Sequence, residues 1–412
     1  MSSSLQPYGP PDHVASVLAS VFGHARLTPV QAAALPVVLA GHDALVVAPT
    51  GGGKSLCYQL PALAEPAPAL TVVVSPLVAV MTDQVAALRA RGAPAAAVHA
   101  GQAAGEARSV LHAAARGQLR LLYVSPERLV GSSDLRRALA GLPIRRVVVD
   151  EAHCVVRWGR DFRPDYLGLA TAIAAFGRPQ LVAVTATATR REQSDILHAL
   201  GRPGARRVAV GFDRPELYFA VSPAPTWDAK LRAVVGAARR APGPLLVYTA
   251  TRHEAERLAR ALARGFGLPA ACYHAGLARP VRAAVQAGFM ADRVRVVAAT
   301  CAFGLGVDKA DVRAVVQWSP PPSLTDYLQA AGRAGRDGAP ALALMLWSDD
   351  DRRWRQAALA EPAPTMADLG LACLALDGTA APAASTLEAV AQRAGLSPRR
   401  ARDALGLLRR AG

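Results

Sequence analysis

Ala48-Pro49-Thr50-Gly51-Gly52-Gly53-Lys54-Ser55 closes an apolar run, Ala44–Ala48, and leads into a helical pattern that starts at Leu56. Strand, glycine-rich bend and helix in that order make a phosphate-binding loop. The glycines let backbone N–H groups close around phosphate oxygens, and the N-terminus of the following helix adds a favourable dipole. In that pattern Thr50, Gly51, Gly52 and Gly53 form the cradle, Lys54 reaches the β- and γ-phosphates of ATP, and the Ser55 hydroxyl is a ligand for Mg2+. The first position is Ala48, where the strict pattern has glycine. A glycine-rich bend that binds nothing is the plain alternative, and GGGKS directly after a strand argues against it.

Outward from this loop, short β-branched runs alternate with longer helical patterns. In the first half they are Ala44–Ala48, Leu70–Ser75, Ala95–His99, Leu119–Ser125, Arg146–Asp150, Gln180–Thr185 and Arg207–Val210. A second series comprises Leu245–Thr249, Ala270–His274, Val294–Thr300, Val312–Trp318 and Leu342–Trp347. Strands apolar throughout, each followed by a helix, predict α/β folds with parallel sheets covered on both faces. Two series predict two similar domains in tandem, 1–211 and 212–348, joined near Gly211-Phe212-Asp213-Arg214-Pro215 and the Pro-rich Ser222–Thr226. The Ala- and Pro-rich stretch 349–385 reads as a linker holding a short helix. The segment 386–412 regains helical periodicity as a helix-turn-helix-like element, open to being part of a winged helix.

The chain has 412 residues, long enough for two or three domains, and is 52% hydrophobic, which excludes wholesale disorder. Its net charge of +16 points to a polyanionic partner. Only three of the 47 basic residues are lysines, a codon-bias pattern that weakens the inference from basicity alone. The five cysteines are scattered with no C-x-x-C spacing, which argues against a disulfide framework and a cysteine-rich zinc site. No signal peptide or membrane-length apolar run is visible, so the expectation is a cytoplasmic protein, nucleoid-associated in a bacterium, with no membrane partner.

Asp150-Glu151-Ala152-His153 follows the apolar Val147-Val148-Val149. A carboxylate at the carboxyl end of a parallel strand lies where such sheets bind ligands. Asp150 is the candidate Mg2+ residue and Glu151 the base that orients and deprotonates the attacking water. Phosphate loop and DEAH together resemble superfamily 2 helicases. PTGGGKSLCYQLPAL (49–63), DEAHCVVRWGRDFRPDY (150–166), YHAGL (273–277), ATCAFGLGVDK (299–309) and QAAGRAGRDG (329–338) narrow the resemblance to the RecQ family of ATP-dependent DNA helicases. It covers roughly residues 20 to 348, with VSPLVAVMTDQV (74–85), YVSPERL (123–129) and VTATAT (184–189) inside it.

The resemblance implies two RecA-like domains with ATP hydrolysed between them, and 3′→5′ movement on single-stranded DNA. It makes Arg336 the arginine finger reaching from the second domain, with Arg333 supporting the same phosphate. Gly306 and Asp308 match the preceding motif of that domain. Gln31 matches the family's adenine-reading glutamine. Read locally, Thr28-Pro29-Val30-Gln31 is a helix start in which Gln31 completes a capping box, and both readings stand at this point.

Trp158, Phe162 and Tyr166 alternate with Arg157, Arg160 and Arg163, a composition suited to stacking on bases and contacting phosphates of a single strand. A loop packing its aromatics into the core is the alternative. The family's aromatic-rich loop couples DNA to hydrolysis, which implies DNA contacts for Arg157, Trp158, Phe162 and Arg163. Ser75, Thr249, His274 and Thr300 end strands, where side chains bind phosphodiester oxygens or merely cap helices. Arg399, Arg400 and Arg402 open the last helix, as in a DNA-reading helix-turn-helix or on a plain solvated face. RecQ relatives usually carry a four-cysteine zinc module after the motor. Only Cys373 lies in that region, so this reading expects no zinc. The expected partners are single-stranded and tailed duplex DNA. The rivals are an RNA-acting relative, a DNA-stimulated translocase without processive unwinding, and a nucleotide-gated DNA-binding module without turnover.

Overall fold

A computed structural model describes residues 9–49, 51–99, 101–156, 166, 168–209, 211, 213–301, 303, 309–360, 364–377 and 387–411. The chain divides into two compact units, one up to Asp351 and one from Arg352 to Gly412.

The first unit holds two parallel sheets. Seven strands build the first: β1 (Ala44–Val47), β2 (Leu70–Val74), β3 (Ala95–Val98), β4 (Leu121–Val124), β5 (Ile144–Val149), β6 (Gln180–Thr185) and β7 (Arg206–Ala209), in the order β3-β4-β2-β5-β6-β1-β7. The second holds β8 (Leu217–Pro223), β9 (Leu245–Tyr248), β10 (Ala270–Tyr273), β11 (Val296–Ala299), β12 (Ala314–Gln317) and β13 (Ala341–Trp347), in the order β10-β11-β9-β12-β13-β8. The central strands are buried on both faces because helices cover both, so they read as unbroken apolar runs. In the first sheet Leu45, Val72, Val124 and Val147 feed one core, and Val46, Val73, Tyr123 and Val148 the other.

Strand β8 departs from expectation: it begins between the two stretches that mark the join and ends inside the second. It pairs with β13 over seven positions, from Leu217↔Ala341 to Pro223↔Trp347. As an edge strand it leaves Tyr218 and Val221 exposed and tolerates a terminal proline, so it lacks the continuous burial that reveals the inner strands.

At the amino end of β5, Arg146 is fully buried. Its guanidinium donates to Glu65 Oε1 at 2.7 Å and Gln180 Oε1 at 2.7 Å. Gln180 passes the network on by donating to Val38 O and His42 O.

The stretch read as a linker contains two twelve-residue helices, Asp349–Ala360 and Met366–Asp377. In the second unit, the helices Met366–Asp377, Leu387–Arg393 and Pro398–Ala411 pack around Ala375, Val390 and Ala394. Ser397 caps the last helix, accepting from Arg400 N at 3.1 Å. The Arg400 side chain pairs with Asp368, Nη2 to Oδ2 2.7 Å, within the unit. No helix among the described residues is long and apolar enough to cross a membrane.

Candidate active site

The phosphate loop leaves β1 at the carboxyl edge of the first sheet, where Ala48 N donates to Thr185 O at 3.2 Å. Gly51 and Gly53 adopt φ of 84° and 78°, a region that side chains disfavour. At Gly53 the space is closed as well, since a Cβ there would collide with Gln31 Nε2. Lys54 lies back along the loop, and its Nζ donates to Ala48 O at 2.9 Å and Pro49 O at 3.0 Å. Burial pulls the Lys54 ammonium below its ordinary range; Glu151 and Asp150 oppose this, and Arg336 adds to it. Ser55 stands at the start of the helix Leu56–Ala64. Thr50 lies outside the described residues.

Gln31 spends both ends of its carboxamide inside the protein. Its Oε1 accepts from Thr28 N at 2.8 Å, closing the helix start, and its Nε2 donates to Gly53 O at 3.1 Å. In this geometry Gln31 is a cap that grips the phosphate loop, and a base edge could be read only in exchange for one of these bonds. Thr28 joins the same contact, its Oγ1 donating to Gly52 O at 3.2 Å.

Asp150 and Glu151 follow β5, next to the loop. Asp150 accepts from Ser75 Oγ at 3.3 Å and from Glu151 N at 3.0 Å. Burial, and then the Glu151 charge, push the Asp150 carboxyl up to about 7 against the pull of Lys54. Glu151 is held at φ 48°, ψ 47°, a left-handed conformation for a non-glycine residue. Burial acts to raise its carboxyl, but His153, Lys54 and Arg333 outweigh it and bring it down to about 2. His153 Nδ1 lies 3.3 Å from Glu151 Oε2 and 3.0 Å from Thr185 Oγ1. Burial acts to lower the imidazolium, while Cys154 and Glu151 raise it to about 10. One environment thus separates two adjacent carboxyls, an arrangement typical of sites with acid–base work to do.

The second sheet supplies the opposite wall. After the helix Leu324–Ala331 the chain turns through Gly332–Gly338 and directs Arg333 and Arg336 back towards the first sheet. The Arg336 stem lies over the phosphate loop: a Cβ built on Gly51 would be 3.2 Å from Arg336 Cγ and 3.6 Å from Cδ. Arg333 is 8% exposed, and its charge helps hold Glu151 ionised.

Sequence and fold comparisons agree with this arrangement. The family model described as DEAD/DEAH box helicase matches residues 28–196, and that described as helicase conserved C-terminal domain matches residues 229–338. The ATP-dependent DNA helicase RecQ of Haemophilus influenzae is 39% identical over 350 residues, which is 85% of this chain and 56% of that protein. The Bacillus subtilis RecQ helicase is 39% identical over 338 residues, 82% of this chain and 56% of that protein. The chain belongs to the RecQ family. It spans about half the length of these curated RecQ relatives. In fold it is similar to the Mycobacterium smegmatis helicase Lhr solved with ssDNA and AMP-PNP, with TM-score 0.67 at 23% identity, over 95% of this chain and 56% of that one.

For a RecQ chain, the expected DNA path fares less evenly. Arg157, Trp158, Phe162 and Arg163 lie outside the described residues, as do Gly306 and Asp308. Tyr166 is 1% exposed and donates to Asp150 O at 3.2 Å, so this aromatic belongs to the core and tethers the far end of the aromatic segment to the DEAH strand. Three strand-end residues turn inward. Ser75 is buried on Asp150. Thr249 is buried and donates to Thr251 O at 2.9 Å. His274 is buried, with its Nε2 3.0 Å from Glu256 Oε1. Thr300 is half-buried at the end of β11.

One arginine of the RecQ site escaped the sequence reading. Arg214 sits in the join between the two series of strands, and its guanidinium donates to Ala334 O at 2.8 Å, beneath the loop that bears Arg333 and Arg336. Its only local signal is a position before proline.

Proposed function

We propose that the chain is the motor of an ATP- and Mg2+-dependent DNA helicase of the RecQ type, coupling hydrolysis to 3′→5′ movement on single-stranded DNA and to opening of tailed duplexes in repair or recombination. The single observation that carries this reading is the Arg336 stem resting on Gly51, a residue of the loop before β13 against the phosphate loop that follows β1. In this reading Lys54 and the backbone of residues 51–53 hold the ATP phosphates. Glu151, kept ionised by His153, Lys54 and Arg333, accepts the proton of the attacking water. Arg336 and Arg333 meet the charge that builds on the γ-phosphate, a contribution worth roughly 10³- to 10⁵-fold in rate. Because they come from the other lobe, hydrolysis depends on closure of the cleft.

Ser55 and Asp150 suit a magnesium ion. They offer a hydroxyl and a recessed carboxyl that burial makes reluctant to ionise without a nearby cation. When bound, the ion would neutralise charge between the β- and γ-phosphates. The net charge of +16 favours a DNA partner, and a cytoplasmic, nucleoid-associated location in a bacterium accords with it.

The test is an ATPase assay with single-stranded DNA or RNA, beside an unwinding assay on a 3′-tailed duplex. DNA-stimulated turnover with unwinding supports the full reading, and stimulation without unwinding supports the translocase alternative. Stimulation by RNA alone, or no turnover, refutes it.

A further inference from the structure

Arg214 lies in the chain between β7 of the first sheet and β8 of the second. Its side chain is mostly buried and reaches the arginine loop more than a hundred residues further along the chain. Nη2 donates to Ala334 O at 2.8 Å and Gly335 O at 3.3 Å, and Nη1 lies 3.4 Å from Gly332 O. These carbonyls flank Arg333 on both sides and immediately precede Arg336. Nε pairs with the Glu216 carboxylate, which fixes the plane of the guanidinium. The loop has little freedom to relax around this brace. Gly335 holds φ at 61°, and a Cβ there would sit 3.0 Å from Ala339 O and 3.1 Å from Glu216 Cγ. Gly335 N also donates to Val312 O at 3.0 Å.

A planar fork across successive carbonyls fixes their orientation in a way a single ammonium cannot. What it fixes here is the backbone from which both arginines project. We propose that Arg214 is a positioning residue for the arginine loop, setting the aim of Arg333 and Arg336 from the segment that links the two lobes. The consequence is mechanical: a change of backbone angle in the link is delivered directly to the groups that complete the site. The inference rests on the functional reading above, in which Arg336 stabilises charge in the transition state.

The test uses the full chain with Mg2+, single-stranded DNA and fluorescently labelled ADP, with and without aluminium fluoride, which mimics the phosphoryl group in transfer. Wild type should bind ADP more tightly with the fluoride complex present, and Arg336→Ala should lose most of that gain. Arg214→Lys keeps the charge and removes the fork. It should lose at least about tenfold of the same gain, with affinity for ADP alone within about twofold of wild type. Steady-state turnover should show kcat down by about tenfold or more at nearly constant KM for ATP. The double variant should lose less than the product of the two single losses, because Arg214 acts in part through Arg336. A purely structural defect would lower the amount of competent protein without changing affinity for the mimic. If Arg214→Lys keeps the wild-type gain while Arg336→Ala loses it, the positioning role is refuted and the functional reading stands. If Arg336→Ala also keeps the gain, the functional reading falls and takes the inference with it. Should Arg214→Lys fail to fold, Glu216→Gln carries the same expectation, and a full gain in that variant refutes the positioning role.

Discussion

Replacing His153 by glutamine removes a positive charge 3.3 Å from Glu151 while keeping a polar side chain beside Thr185 Oγ1. At that distance, and at an effective dielectric constant near 20, the attraction is at most about 5 kcal/mol. The fall of Glu151 from its ordinary 4.5 to about 2 corresponds to about 3 kcal/mol, shared among His153, Lys54 and Arg333 and net of opposing burial. Losing the His153 share leaves burial less opposed, so the carboxyl should rise by at least about one pH unit. The acid limb of the DNA-stimulated kcat profile should therefore lie at least about one pH unit higher in His153→Gln than in wild type. The stability effect has a definite window. The contribution of His153, raised from 6.5 to about 10, is complete below 6.5 and fades as the pH climbs through 10. That of Glu151, depressed from 4.5 to about 2, is complete above 4.5 and fades as the pH drops through 2. Urea unfolding should therefore show the largest loss in the variant between pH 4.5 and 6.5, by about 2 to 3 kcal/mol. A kcat profile that superimposes on wild type after scaling would refute the view that His153 keeps Glu151 ionised.

Lys54→Ala should abolish ATP turnover, and near-normal turnover would remove the phosphate loop from the site. Arg146→Ala strands Glu65 and Gln180 in the interior and should cost about 3 to 5 kcal/mol by urea unfolding, with Arg146→Met/Glu65→Leu costing much less; equal losses would contradict the pairing argument. Cys57 is fully buried with its thiol raised by burial to about 12, so native labelling with a thiol reagent should modify exposed Cys301 and Cys373 and spare Cys57 until the protein unfolds.

The inner strands and the phosphate loop could be read from residues alone because burial on both faces and a glycine bend each leave a local trace. The edge strand β8 could not, since one side of it meets solvent and its pattern merges with the join. Strand-end hydroxyls posed a different difficulty. Ser75 and Thr249 occupy the expected places, but sequence does not say whether a side chain at the last position of a buried strand turns towards a ligand or towards a neighbour. Gln31 shows the same ambiguity from the other side: the local cap and the loop contact coexist, because the two ends of one carboxamide point in different directions. Arg214 left only its place before proline as a trace, because the loop it holds lies 118 to 121 residues away.

The backbone at Glu151 carries a cost that β5 before it does not. A glutamate at φ 48° sacrifices about 1 to 2 kcal/mol relative to a residue at ease in that region. Asparagine or glycine at position 151 would relieve it and make a sturdier protein without a base. Selection for heat resistance alone would drift towards such a sequence, and on the proposed function it is the need for a base that holds an acid at that corner.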